Sequence, residues 1–281
     1  MGGMPDPGRF PTLHAHREGS GPPLLLLHGL GISIREFRAV LPQLAERYNV
    51  LALDLPGHGR SPAFPRGMRP DITALTDAVQ QELDGQGIGR PNVLGVSLGG
   101  RIALELARRQ RARSVVAIGP LGPVTPPERL YQVTMLAASR LAYRGLAAGA
   151  DGLMQSRLLR TAVLSPLRAR GWRTPAGEAA GLIHDFAGAE GFWRLLANAV
   201  LPEANVDYRA VQCPVRLVQG THDVLALTQV LRLATLVPGA RLQLLPAAGH
   251  SPVTDTPARV VRLVDEAAAD ADRFPGDRPR S

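Results

Sequence analysis

A serine flanked by glycines is the first candidate for chemistry in this 281-residue chain. Ser97 is the centre of Gly95-Val96-Ser97-Leu98-Gly99, which follows a short apolar run and precedes a helix-forming segment. A sharp strand-to-helix turn needs glycines there because it leaves no room for neighbouring side chains. The pattern predicts a nucleophilic hydroxyl beside a helix N-terminus, where negative charge on an attacked carbonyl oxygen is favoured. Such a motif alone is more typical of an ordinary turn, so the prediction depends on partner residues.

A serine nucleophile requires a base and a group that orients the base. Of the seven histidines, only His250 follows the last predicted strand in a loop, with Gly249 before it to permit a close approach. Asp223 directly follows another predicted strand, and serine, acid, histidine is the chain order of one triad arrangement. We therefore predict a catalytic triad of Ser97, Asp223 and His250. An Asx turn or helix cap would also explain Asp223, and an exposed loop would explain His250.

Two backbone N–H groups must also stabilise the oxyanion. Leu98, the residue after the nucleophile, supplies one candidate. The loop His28-Gly29-Leu30-Gly31 supplies the second, which we assign to Leu30, because its glycines let the backbone approach a ligand. His28 is expected to brace this loop through hydrogen bonds rather than act as a second base.

The elements that position these residues follow from the hydrophobic pattern. Short apolar runs alternate with amphipathic segments, which predicts an α/β fold with a mostly parallel, doubly wound sheet flanked by helices. Because the runs are almost continuously apolar, we expect the strands to be buried on both faces. The predicted strands are 23–27, 50–53, 92–96, 115–118, 215–219 and 241–245, with an antiparallel edge strand near 13–18. The predicted helices are 34–47, 72–84, 98–110, 227–236 and 257–269.

The alternation stops between Gly119 and Cys213, where prolines lead out of the sheet and helical periodicity follows. We predict an α/β core of residues 10–120 and 206–271, a helical cap inserted at 121–205, and a disordered tail at 272–281. The cap would cover the sheet edge that carries Ser97. Part of one apolar stripe in the cap is expected to line an acyl pocket: Leu153, Met154, Leu158, Leu159, Leu182, Phe186 and Phe192.

Composition excludes several classes of partner. The net charge of +8 comes from arginine without lysine, and the densest group, Arg108, Arg109, Arg111 and Arg113, ends a helix whose dipole favours cations. We therefore expect no nucleic-acid partner. No apolar run reaches the roughly 18 residues that a membrane span needs, and the start lacks the pattern of an export signal. With the single Cys213 unable to form an internal disulfide, we expect a cytoplasmic protein without membrane association.

Taken together, these segments resemble the α/β-hydrolase fold superfamily, in its members with a helical cap. The resemblance rests on the segments 24–29, 54–61, 95–99, 220–223 and 249–250. It implies acyl transfer to water: Ser97 attacks a carbonyl, His250 takes the proton, and Asp223 holds the imidazole. It also implies that no metal or organic cofactor is needed, and that His58 and Gly59 are structural.

The substrate class is narrowed by the nucleophile. Dehalogenase and most epoxide-hydrolase relatives carry an aspartate nucleophile, so Ser97 argues against both of these reactions. A small or medium apolar carboxylic ester is the leading substrate class, followed by lactones and thioesters. A carbon–carbon hydrolase of ring-cleavage products stays open, because Arg194, Phe192 and Trp193 could hold an acidic dienoate, although helix packing would also explain them. The fold would also suit a small-molecule receptor with little turnover, or an acyltransferase that uses alcohols or amines.

Overall fold

The computed structural model describes residues 10–200, 206–226 and 228–273. Within these residues, seven strands form one sheet in the order β1-β3-β2-β4-β5-β6-β7. β1 is antiparallel to β3, and every other pair of neighbours is parallel. The strands are β1 (Ala15–Glu18), β2 (Pro23–Leu27), β3 (Asn49–Leu53), β4 (Asn92–Val96), β5 (Ser114–Ile118), β6 (Val215–Gly220) and β7 (Arg241–Leu245). The predicted mostly parallel sheet with an antiparallel edge strand is therefore confirmed.

Helices connect the strands. The first three are α1 (Leu41–Ala45), α2 (Ile72–Gly85) and α3 (Leu98–Arg108). Between β5 and β6 lie α4 (Pro126–Leu146), α5 (Ala150–Leu153), α6 (Arg157–Leu164), α7 (Ala176–Gly188) and α8 (Phe192–Asn198), which together are termed the helical segment. The chain then forms α9 (Gln229–Leu236), α10 (Pro252–Asp255) and α11 (Pro257–Asp272).

Alternate residues of the central strands enter two separate cores, as the two-residue period of a strand requires. Leu25 and Leu27 of β2 pack in one core with side chains of α2, α3 and α9. Leu24 and Leu26 pack in the other with side chains of α1 and α11. The sheet is thus covered on both faces. The helical segment joins the first of these cores through residues that include Phe186.

Two details of the predicted elements are wrong. The helix predicted at 34–47 is a 3-10 turn, Ile34–Phe37, followed by the separate α1. Pro42 lies at the start of α1, where a missing N–H is tolerated, whereas inside a longer helix it would remove a hydrogen bond. The strand β7 is not buried on both faces, because it is the last strand of the sheet and Leu244 is 53% exposed.

The helical segment contains no strand, as its periodicity indicated, and α4 packs against α7. Asp272 is the last residue of α11, so the predicted disordered tail does not begin at 272. The rest of that tail, after Arg273, lies outside the described residues. In the described ranges, no helix is long and apolar enough to cross a bilayer. The same ranges hold no group of three or more histidine, cysteine or acidic side chains that could bind a metal.

The arginines near the end of α3 are engaged by acidic side chains. Arg108 and Arg109 donate to Glu105, at 2.6 and 2.9 Å. Arg111 pairs with Asp84 and Arg113 with Asp272. This group therefore does not form an unbalanced basic patch.

His58 is expected to make the protein less stable in acid. Its ring is buried, Nδ1–H donates to the Pro56 carbonyl at 3.1 Å, and within the described residues Nε2 has no partner. Burial, together with repulsion from His28, lowers the pKa of His58 to about 3. Between pH 6.5, the ordinary histidine pKa, and pH 3, His58 is therefore mostly protonated in the unfolded chain and mostly neutral in the folded protein. The free energy of unfolding should fall by about 1.4 kcal/mol per pH unit from this group as pH decreases towards 3.

Urea unfolding between pH 4 and pH 8 measures this dependence. His58→Asn keeps a donor for the Pro56 carbonyl and removes the titrating ring, so its unfolding free energy should vary less with pH. The exposed His222 provides the matched control, and His222→Asn should follow the wild-type curve. Equal slopes for wild type and His58→Asn would contradict the assignment.

Candidate active site

Ser97 occupies a strained turn between β4 and α3. Its backbone has φ +53° and ψ −111°, a conformation that residues with a side chain rarely adopt. The glycines make the turn possible: a Cβ on Gly95 would lie 2.3 Å from the Gly99 carbonyl oxygen, and one on Gly99 would lie 2.0 Å from the Leu27 carbonyl oxygen. Both glycines are therefore required by close backbone packing, as the motif predicts.

His250 and Asp223 form a buried hydrogen-bonded pair at the same edge of the sheet. The Nδ1–H of His250 donates to Asp223 Oδ2 at 2.9 Å, and both side chains are almost completely buried. Asp223 Oδ1 accepts from the backbone N–H groups of Leu225 and Ala226, at 2.8 and 2.9 Å. One carboxylate oxygen thus closes a turn while the other accepts from the imidazole.

The pair is electrostatically coupled. Burial lowers the pKa of His250, but the Asp223 carboxylate and its hydrogen bond outweigh burial, with a smaller effect of Glu36, so this pKa lies above its ordinary value. Burial raises the pKa of Asp223, while the charge of His250 and the hydrogen bonds lower it to a net value below the ordinary range. Asp223 therefore remains a carboxylate, which stabilises a proton on His250.

Gly119, which the sequence analysis did not single out, makes space for this pair. It directly follows β5 and has φ +49°. A Cβ here would lie 2.9 Å from His250 Cε1 and 3.2 Å from Asp223 Oδ2. The available signal was a glycine at the end of a strand that lies between the strands of Ser97 and Asp223.

The loop after β2 lies directly against Ser97. A Cβ on Gly29 would be 3.4 Å from the Cβ of Ser97. His28 braces this loop as expected: Nδ1–H donates to the Gly29 carbonyl at 2.8 Å, and Nε2 accepts from Leu55 N–H at 2.9 Å. With both ring nitrogens engaged, His28 is unsuited to act as a base. Leu98 is the first residue of α3, so its N–H has no acceptor within the helix.

Ser97 and His250 line one cavity, and most of its other walls are apolar. The lining comprises Gly29, Leu30, Ile32, Glu36, Val96, Ser97, Leu121, Leu136, Leu167, Phe186, Val200, Leu225, His250 and Ser251. The volume open to the centre of a water-sized sphere is about 20 Å³, close to what one ordered water needs. The described residues therefore enclose room for about one water beside a mostly apolar wall.

A family model described as "Alpha/beta hydrolase family" matches residues 24–263. The chain belongs to the alpha/beta hydrolase family. A pimeloyl-[acyl-carrier protein] methyl ester esterase of Chromobacterium violaceum is 31% identical over 254 residues, which cover 88% of this chain and 94% of that protein.

Two solved structures are similar to this alpha/beta hydrolase in fold. The enol-lactonase from Burkholderia xenovorans LB400 matches with a TM-score of 0.72 at 24% identity, covering 92% of this chain and 96% of that one. A meta-cleavage product hydrolase from Pseudomonas fluorescens IP01 matches with a TM-score of 0.69 at 22% identity, covering 92% and 94%.

In this alpha/beta hydrolase, one residue of the apolar stripe lies at the cavity, and Met154, Leu182 and Phe192 are buried in the core. Of its seven residues, only Phe186 lines the cavity, and Leu158 is 78% exposed. The helical segment instead contributes Leu136 and Leu167, with Val200 just beyond it. Periodicity identified apolar positions on these helices, but it carries no information on whether an apolar side chain meets the sheet, the cavity or solvent.

Arg194 of the alpha/beta hydrolase connects the helical segment to the loop between β3 and α2. Its guanidinium donates to the backbone carbonyls of Phe64, Pro65 and Met68, at 2.8, 3.1 and 2.5 Å. Phe192 is fully buried in the core. The packing interpretation of these two side chains is therefore correct, and Arg194 is not free to bind a substrate carboxylate.

Glu36 is a cavity residue that the sequence analysis missed. It lies in the 3-10 turn after the loop of Gly29 and is 1% exposed. Oε2 accepts from Gly29 N–H at 3.0 Å, and Oε1 accepts from Ser251 Oγ–H at 2.7 Å. No pattern in the sequence marks it, because both of its partners lie in other segments of the chain.

Proposed function

We propose that this chain is a serine hydrolase that cleaves small or medium apolar carboxylic esters through an acyl-enzyme at Ser97. One observation carries the proposal: a serine in a strained strand-to-helix turn shares an apolar cavity with His250, whose Nδ1–H is held by the buried Asp223. This is the combination that nucleophilic acyl transfer requires. The similarity to a methyl ester esterase supports an ester as the substrate.

The proposed reaction has two halves. His250 Nε2 takes the hydroxyl proton as Ser97 Oγ bonds to the ester carbonyl carbon. The tetrahedral intermediate collapses, the alcohol leaves with the proton from His250, and the acyl group stays on Ser97. Water then attacks the acyl-enzyme with His250 again as base, releasing the acid and restoring the hydroxyl. The carboxylate of Asp223 stabilises the imidazolium in both halves and keeps Nε2 facing the serine.

The oxyanion is assigned to the backbone N–H groups of Leu98 and Leu30. Leu98 begins α3, so its N–H group is available and the helix dipole favours negative charge there. Leu30 follows Gly29, which lies against Ser97. Fixed donors of this kind contribute because they need no reorganisation as charge develops on the oxygen.

The apolar walls support an uncharged acyl group. Among the described residues that line the cavity, none is an arginine, and Glu36 contributes a carboxylate. An acidic dienoate would meet no fixed cation there, and Arg194 is already engaged by backbone carbonyls. Carbon–carbon cleavage of ring-cleavage products is therefore the weaker candidate.

We also propose the division of the chain into an α/β core, residues 10–120 and 206–271, and a cap, residues 121–205. The cap would supply Leu136, Leu167 and Phe186 to the substrate cavity.

Two assays test the proposed function. Hydrolysis of p-nitrophenyl esters of graded acyl length should show multiple turnovers, with a preferred length that reports the size of the acyl pocket. A fluorophosphonate should inactivate the protein and add one equivalent of mass, which peptide mapping should locate on Ser97. Binding without turnover would favour a receptor, and preferential transfer to added alcohols would favour an acyltransferase. Labelling at any residue other than Ser97 would contradict the proposal.

A further inference from the structure

Glu36 connects the loop after β2, which carries Leu30, to the loop after β7, which carries His250. The proposed mechanism needs these two loops in a fixed relative position. Gly29 N–H, on the loop that carries Leu30, donates to one carboxylate oxygen at 3.0 Å. The hydroxyl of Ser251, the residue after His250, donates to the other at 2.7 Å. Since both partners donate, the geometry is that of a carboxylate bridging the two loops.

A buried carboxylate without a cationic partner needs an explanation, because burial of a charge is costly unless it is compensated. Across the described residues, Glu36 forms no ion pair, and its compensation comes from one backbone N–H and one hydroxyl. Its place in the wall of the Ser97 cavity puts its negative charge near the reacting groups. A purely structural clamp could be made by a neutral side chain.

We propose that Glu36 is a positioning residue of the hydrolase: through its two hydrogen bonds it aligns the loops of Leu30 and His250 and holds its carboxylate in the wall of the cavity that both loops line. This inference rests on the proposed serine mechanism. Alignment would keep the Leu30 N–H directed at the oxyanion while His250 faces Ser97. The charge would stabilise the imidazolium that forms as the serine is deprotonated.

Other charged groups around the histidine must be held constant in a test. Asp223 and Glu36 are the acids whose charge raises the pKa of His250. Asp255 accepts from Gly249 N–H at 2.9 Å, and the guanidinium of Arg168, whose backbone lies beside Gly249, pairs with Glu178 at 3.0 Å. The substitutions below leave these four side chains, Asp223, Asp255, Arg168 and Glu178, in place.

Three substitutions separate alignment from charge. Glu36→Gln can accept from Gly29 N–H and donate to Ser251 Oγ, so it preserves the bridge and removes the charge. Ser251→Ala removes the hydrogen bond to Glu36 Oε1 and preserves the charge of Glu36. Glu36→Ala removes both hydrogen bonds and the charge. Glu18→Gln, at an exposed glutamate on β1, is the matched control for loss of one negative charge.

The measurement is the pH dependence of kcat/KM and kcat for the preferred p-nitrophenyl ester. For Glu36→Gln, the acid limb should move to lower pH by about 0.5–1 unit, with a loss of less than about tenfold on the plateau. Ser251→Ala should lower kcat without moving the limb. Glu36→Ala should lower kcat by about 10²-fold, the cost typical of a lost oxyanion donor, with little change in KM. An unshifted limb in Glu36→Gln, or a Glu36→Ala variant as active as wild type, would overturn the proposal.

A second readout does not depend on turnover. The pKa of the His250 ring, followed by NMR and assigned with His250→Gln, should be lower in Glu36→Gln than in wild type and unchanged in Glu18→Gln. If wild type hydrolyses no ester, the proposed function fails, and this titration still decides the electrostatic effect of Glu36. If wild type is active and the titration is the same in all three proteins, the inference about Glu36 fails alone.

Discussion

Ser97→Ala is expected to lose ester hydrolysis by about 10³- to 10⁶-fold, because removal of a triad nucleophile leaves only substrate binding and oxyanion stabilisation. The loss should appear in kcat, and labelling by the fluorophosphonate should disappear. Ser165→Ala, at an exposed serine of the helical segment, should retain wild-type activity and labelling. A Ser97→Ala variant with wild-type turnover would show that the acyl-enzyme does not form at this residue.

Ser97→Gly distinguishes loss of chemistry from loss of structure. The backbone conformation of Ser97, φ +53° and ψ −111°, is strained for a residue with a Cβ and readily accessible to glycine. The glycine variant should therefore be as inactive as Ser97→Ala and about 1 kcal/mol more stable to urea than the alanine variant. A less stable glycine variant would contradict the strain at this turn.

Asp223→Asn is expected to lower kcat/KM by about 10⁴-fold. Its Oδ1 still accepts from Leu225 and Ala226, so the turn and the fold should be retained. The amide, however, presents N–H to the imidazole in place of the carboxylate oxygen at 2.9 Å, which stabilises the wrong tautomer of His250. The remaining activity should rise at lower pH than in wild type, because the Asp223 carboxylate raises the pKa of His250.

A second histidine–aspartate pair provides the control. His184 and Asp151 lie 3.4 Å apart on the helical segment, and both are exposed to solvent. Asp151→Asn removes the same charge from the same type of pair, yet activity and the pH profile should not change. If Asp223→Asn and Asp151→Asn have equally small effects, Asp223 does not orient the base.

The residues with the strongest backbone constraints were predicted from the sequence. Gly95 and Gly99 mark the turn of Ser97 because no other residue fits where their backbones meet neighbouring carbonyl groups. Asp223 and His250 follow strands, and the carboxyl ends of parallel strands meet at one edge of a sheet. Their hydrogen bond at 2.9 Å is therefore a consequence of positions that the hydrophobic pattern had already indicated.

The walls of the cavity were not predictable in the same way. Leu158 and Leu136 are leucines on helices of one segment, yet one is 78% exposed and the other lines the cavity. Helical period identifies which residues share a face, whereas the direction of that face depends on how α4 to α7 pack on each other and on the sheet. The single helix predicted at 34–47 failed for a different, local reason: Pro42 starts a separate helix, and Glu36 lies in the 3-10 turn before it.

The sequence by itself determined the strand order in the chain, the glycine-flanked turn and the candidate triad residues, because each depends on local backbone geometry or on alternation along the chain. Only the tertiary structure decided the roles of Gly119 and Glu36. Gly119 is needed because the side chains of Asp223 and His250, on the loops after β6 and β7, lie within 3.2 Å of the position that a Cβ on Gly119 would occupy. Glu36 bridges Gly29 and Ser251, and Ser251 is 215 residues away from it in sequence. Contacts between distant segments arise from packing of the whole chain, and no local pattern specifies them.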